Sequence, residues 1–314
     1  MKCYFKDNVV KTLKYKDDLC LDGCIEIKAC LLNIKKWNLK LPEGIKTISV
    51  TACGLEKWNV ELPNSLIYFN VCENELTEWT TKLPCLLQEF YIYSNELRKW
   101  TTKLPNSLRD FAIYENEIEE WTVELPNGLH YFDIGCNCLG EWTIKLPDYL
   151  EYFDINDNGL IKWDINIPEG ITQFRISNNC LTEWTIKLPD YLEEFDICEN
   201  KLTEWTVELP CELKRFIIFN NLLSEWHIKL PDYLEEFDMG KLEWVCKGVD
   251  AITTRKKEEV IYHVPSLLSL CCDIVEKIPS YVNINKVVCG DFEGYAVKKE
   301  EFKIVEGTCT RILS

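Results

Sequence analysis

The chain has 314 residues, 46% of them hydrophobic, and 52 acidic against 35 basic side chains give it a net charge of −17. That balance supplies a large apolar core and excludes a disordered chain, and its negative field makes nucleic acid an unfavourable partner. No run of about 18 apolar residues occurs, so no membrane span is expected. The seventeen cysteines are odd in number and irregularly placed, and no Asn-x-Ser/Thr sequon occurs. Free thiols in a reducing cytoplasm are expected.

Residues 1–23 show no apolar stretch of signal-peptide type and are expected to form an N-terminal cap. A strict 21-residue period follows. Proline recurs at that step from Pro42 to Pro231 and tryptophan from Trp37 to Trp226, with Trp244 alone out of phase. Aligning eleven copies, from the one opening at Cys24 to the one opening at Leu234, gives L-x-x-F-x-I-x-x-N-x-L-x-x-W-x-x-x-L-P-x-x. One copy carries it as Leu192, Phe195, Ile197, Asn200, Leu202, Trp205, Leu209 and Pro210.

The period-two pair Phe195 and Ile197 predicts a short strand with one face inward, and the asparagine marks where the chain turns. That asparagine recurs from Asn74 to Asn221, where a stack of amides can bond backbone groups of adjacent coils. About ten residues, one of them proline, complete each copy. They are too few for a return helix, so an extended convex layer is expected, with the alternation of Trp205, Val207 and Leu209 giving it strand character. Eleven strands about 4.8 Å apart would make a curved sheet roughly 50 Å long.

The run L-x-x-F-x-I-x-x-N-x-L resembles the leucine-rich repeat, and the trailing Leu-Pro is similar to its short bacterial type. The resemblance covers residues 24–244 and implies a β-dominated solenoid of about 11 coils, with residues 245–314 forming a small α+β C-terminal cap or adaptor-binding tail. The chain departs from the usual pattern by placing Phe at the fourth position and Trp at the fourteenth, bulkier residues that are expected to fill the wedge between the two faces.

Catalytic patterns are weak. Residues 154–159, DINDNG, open like a calcium loop, but Ile165 stands where the loop needs glutamate. Cys271 to Asp273, CCD, resembles the Cys-x-Asp signature of ubiquitin ligases that follow bacterial leucine-rich repeats. Too few residues remain for such a domain, so ubiquitin transfer through Cys271 is not expected, nor any enzyme, metal or cofactor.

The third, fifth and seventh positions of each copy are expected to face outward from the concave strands. They collect six tyrosines, Tyr68, Tyr91, Tyr93, Tyr114, Tyr131 and Tyr152. Carboxylates including Asp110, Asp133, Asp154 and Asp196 join them, against only Lys28, Arg175 and Arg215. Tyrosines anchor interfaces and carboxylates steer a basic partner, so a protein partner with a basic surface is expected on this face.

Beyond the repeats, Pro265 can open a helix whose apolar stripe includes Leu267, Leu268, Cys271, Ile274 and Val275. Ser266, Leu267, Cys271 and Val275 fit Ser/Thr-Leu-x3-Cys-x3-aliphatic, which resembles the Elongin-binding box of SOCS-box-like proteins. The following VCGDFEGYAVKKEEFKIVEG is similar to the β-rich tail after that box. The resemblance implies a second reading, a substrate receptor of an Elongin-type ubiquitin ligase.

Overall fold

The computed structural model describes residues 1–5, 10–12, 21–224 and 228–239, together with the backbone of 302–305 and 308–311. Its main feature is one thirteen-stranded sheet. Strand β1 (Lys2–Phe5) pairs antiparallel with β2 (Val10–Thr12) on one side and with β3 (Cys24–Cys30) on the other. From β3 onward every neighbour is parallel and comes from the next coil, through to the strand Glu236–Asp238 of coil 11. Register is fixed at 21 residues throughout: Phe111 pairs with Phe132, and Phe132 with Phe153.

The core lies between this sheet and the convex segments, and its layers follow from the period. Leu at position 1, Phe at 4, Ile at 6, Leu at 11 and Trp at 14 are buried in coil after coil, as Leu150, Phe153, Ile155, Leu160 and Trp163 show. Phenylalanines stack on one another at 5.4–5.8 Å between centroids, for example Phe90 on Phe111 at 5.5 Å and Phe195 on Phe216 at 5.8 Å. Beyond the first pair, Trp37 and Trp58 at 5.3 Å, the stacked tryptophans stand farther apart, at 6.4 Å for Trp100 and Trp121 and 6.5 Å for Trp163 and Trp184. The difference is the curvature: the tryptophan layer lies on the outside of the bend. Each indole also packs obliquely on the next coil's phenyl ring, as Trp121 does on Phe132 at 5.6 Å and 52°. Its Nε1–H is satisfied locally, Trp142 donating to the Ile144 carbonyl at 2.8 Å.

The asparagine ladder forms as expected. Asn95 Oδ1 accepts from the Leu76 amide, while Nδ2 donates to the carbonyls of Val71, Ile92 and Tyr93. One side chain thus ties two coils together. At the head of the ladder Cys53 takes the place of asparagine, and its thiol donates to the Thr51 carbonyl at 3.2 Å.

Two features depart from the sequence expectation. The convex layer is extended, but among the described residues its ladders are two residues long, Lys36–Trp37 with Lys57–Trp58 and Lys99–Trp100 with Glu120–Trp121. The wider spacing of the outer layer keeps most backbone groups there from pairing. The sharp turn falls one residue before the asparagine position, where one non-glycine residue in each of ten successive coils, from Leu31 to Asn220, holds φ between 48° and 54°. This left-handed conformation costs about 1–2 kcal/mol for an L-residue. The flanking ladder bonds hold it, since the Glu115 amide donates to the Gly135 carbonyl and the Asn116 amide to that of Cys136.

A candidate protein-binding face on the concave sheet

Because strand residues alternate, positions 3, 5 and 7 of every coil emerge on the concave side as three files running along the sheet. Position 3 carries Tyr68, Glu89, Asp110, Tyr131 and Tyr152 in successive coils, and position 5 carries Asn70, Tyr91, Ala112, Asp133 and Asp154. All six expected tyrosines lie on this face, but they are half-buried rather than fully exposed. The reason is mutual cover across the short interstrand distance. Tyr93 stacks on Tyr114 at 4.3 Å and 9°, Tyr131 on Tyr152 at 4.5 Å and 8°, and Tyr68 leans on Tyr91 at 5.6 Å. Burial raises the phenol of Tyr114 to about 12 and pushes those of Tyr91 and Tyr131 higher, so all three are neutral donors.

The aspartates divide into two kinds. Asp133, Asp154 and Asp196, at position 5, each accept the backbone amide two residues on, from Gly135, Asn156 and Cys198 at 3.0–3.1 Å. Asn70 does the same for Cys72. These side chains close a backbone group that the ladder leaves open, so part of the acidity serves the fold. Asp154 is, against the expectation of a solvated face, buried at 5% exposure, under its bond from the Tyr152 hydroxyl at 3.0 Å and beside Arg175. Burial, and then the neighbouring Asp154 charge, push Asp133 up to about 7. Asp110, at position 3, is the other kind: it makes no side-chain hydrogen bond or ion pair among the described residues, and burial raises its carboxyl above the usual range.

Tyr68, Asn70, Tyr91, Tyr93, Asp110, Ala112, Tyr114 and Tyr131 line one concave depression of about 450 Å³. It thus brings together five of the expected tyrosines and Asp110, while Tyr152, Asp133, Asp154 and Asp196 continue the face beyond it. Sequence reading missed Ala112. Its signal was present, since it is the small residue in a file otherwise held by larger ones, and it forms the floor. Ser266, Leu267, Cys271 and Val275 lie outside the described residues. Among the described residues no group of three or more His, Cys, Asp or Glu side chains is arranged to hold a metal ion, and no helix is long and apolar enough to cross a membrane. Asn158, within the calcium-like DINDNG run, is committed to the ladder.

The repeat, the parallel ladder and the curved two-layer core define a leucine-rich-repeat solenoid. Among solved structures it is similar to YopM from Yersinia enterocolitica WA-314, with 26% identity and a TM-score of 0.55 over 70% of this chain and 51% of that one. It is also similar in fold to the functional domain of InlJ from Listeria monocytogenes, which includes a cysteine ladder, with 19% identity and a TM-score of 0.57 over 71% of this chain and 56% of that one. The chain therefore spans about half the length of these two proteins. No protein-family description and no curated protein matches it.

Proposed function

We propose that the protein is a non-catalytic interaction scaffold that binds a protein partner with a basic surface along its acidic, tyrosine-rich concave face. The observation that carries this reading is the depression of about 450 Å³ walled by five tyrosines and Asp110. Tyrosines immobilised by stacking lose little further freedom on binding, and rings already half desolvated add apolar contact at low cost. A protein of net charge −17 would draw a basic partner toward that face and repel acidic ones. We place this activity in the cytoplasm, on the odd cysteine count and the lack of glycosylation sequons. Elongin recruitment through Ser266, Leu267, Cys271 and Val275 is the alternative, and it rests on sequence pattern alone.

The test is site-specific photo-crosslinking in the native host's lysate with benzoylphenylalanine at Tyr114, against the same probe at exposed Tyr233. Replacing Tyr91, Tyr93 and Tyr131 by alanine in the probe-bearing chain is expected to leave the fold intact and lower the Tyr114 adduct at least five-fold. Adducts that form equally from Tyr233, or that survive the triple substitution, would remove the concave face as the site.

A further inference from the structure

The concave face already shows how it holds a cation. Only two basic residues stand on the described part of the central file, and both make the same pair of contacts. Lys28 lies over the Tyr4 ring at 5.2 Å with Glu26 at 2.6 Å. Arg175 lies over the Tyr152 ring at 5.4 Å, with Asp154 and Glu194 each at 3.9 Å. A tyrosine face on the neighbouring strand together with a carboxylate in reach, on the same strand for Lys28 and one coil away for Arg175, is therefore this sheet's own seat for a positive side chain.

At Ala112 the same surroundings recur without a cation. Its ladder neighbours are Tyr91 and Asp133, and Asp110 beside it is flanked by Glu89 and Tyr131. The methyl group leaves the middle of the file empty, and that gap is the floor of the depression. Asp110 has no ion-pair partner among the described residues. A second observation concerns the backbone. Where position 5 is aspartate or asparagine, its side chain caps the amide at position 7, but Tyr91 and Ala112 have no such group to offer. The amides of Tyr93 and Tyr114 accordingly make no hydrogen bond among the described residues. A carboxylate and ring faces together with open amide donors match a basic residue that carries its own carbonyl groups, which a free amine or a metal ion lacks.

We propose that the depression over Ala112 is a specificity seat for one arginine of the partner polypeptide. Its guanidinium lies over the tyrosine rings against Asp110, and its main-chain carbonyls face the amides of Tyr93 and Tyr114. This deepens the concave-face reading and rests on it. Arginine is favoured over lysine because a planar guanidinium can stack on a ring and present paired donors to a carboxylate at once, while an ammonium does one or the other.

The experiment uses the full chain with 13C-methyl alanine and three capped seven-residue Gly/Ser peptides, identical but for a central arginine, lysine or citrulline. The arginine peptide is expected to shift the Ala112 methyl signal saturably, the lysine peptide to bind at least three-fold more weakly, and the uncharged citrulline peptide not at all. Asp110→Asn should weaken the arginine peptide at least five-fold. Ala112→Arg should occupy the seat from within, as Arg175 occupies its own, and abolish binding. Ala112→Leu fills the floor without charge and gives the same answer should the charged variant fold poorly. Equal binding of arginine and citrulline peptides, an unmoved Ala112 methyl, or unchanged affinity in Asp110→Asn would overturn the seat. Any of these with a persisting Tyr114 crosslink would leave the broader concave reading standing, whereas loss of the crosslink with intact peptide binding would instead sink the scaffold reading.

Discussion

The asparagine ladder offers a test in which the sign of an effect, as well as its size, follows from geometry. Asn116 is 8% exposed, its Oδ1 accepts the Leu97 amide at 3.1 Å, and its Nδ2 donates to the carbonyls of Ile92, Ile113 and Tyr114 at 3.0–3.2 Å. Those carbonyls each keep a second donor, from Asn95, Asn137 and the Ser94 amide. Leu97 N–H has no other partner among the described residues. Asn116→Ala therefore orphans one buried donor, at about 1–3 kcal/mol, and forfeits three weakly net-favourable bonds, for a total of about 2–4 kcal/mol. Asn116→Asp keeps the acceptor for Leu97 but turns an oxygen toward three carbonyl oxygens. Repulsion and burial both disfavour the charged form, so the new carboxyl titrates above its unfolded value of about 3.9. A raised folded value means that its stability is fully present below about pH 4 and is lost as pH rises through the folded value. The expectation is that Asn116→Asp is at least as destabilised as Asn116→Ala at pH 7 and recovers toward wild type at pH 4, each compared with wild type at the same pH. Urea denaturation followed by tryptophan fluorescence measures this, and amide exchange at Leu97 localises it. A deficit independent of pH, or a variant as stable as wild type at pH 7, would refute the argument.

Two further outcomes are expected. Trp142 is 4% exposed and packs on Trp121, Phe132 and Phe153 at 5.6–6.3 Å, so Trp142→Ala should cost about 3–5 kcal/mol in urea denaturation and Trp142→Phe clearly less, because the latter loses mainly the indole donor to Ile144. Asp133, raised to about 7 by burial and by Asp154, is a group whose charge opposes folding at high pH. Asp133→Asn, which can still cap the Gly135 amide as Asn70 caps that of Cys72, should gain on the order of 2 kcal/mol over wild type at pH 8 and nothing at pH 4. Carboxyl 13C titration of Asp133 checks the cause directly.

Much of this architecture was readable because one residue type at one spacing has one physical job. Phe, Ile and Trp in register dictate two buried layers, and an asparagine every 21 residues dictates a ladder. The parts that were not readable depend on neighbours in three dimensions. The left-handed turn falls on Leu31, Ala52, Glu73 and Cys136, none of them turn formers, because the ladder on either side imposes it. Asp154 looks like any solvated strand residue until the Tyr152 hydroxyl and Arg175 close over it. Ala112 gains its meaning only from the larger residues beside it, and the capping role of Asp133 and Asp196 appears only once the amide at position 7 is seen to lack a ladder bond.

The antiparallel hairpin at the start of the chain bears on how the molecule behaves when crowded. Identical coils paired at a constant step would accept another copy's first coil as readily as their own next one, and such end-to-end growth closes on nothing. Here, among the described residues, the edge strand at that end is β2, only three residues long and held off the first coil by β1, which runs opposite to the eleven strands behind it. A second molecule arriving with its coils in the usual sense finds an edge with too few groups to pair. The short edge strand β2 thus works against growth into fibres with the same backbone chemistry that would otherwise propagate them.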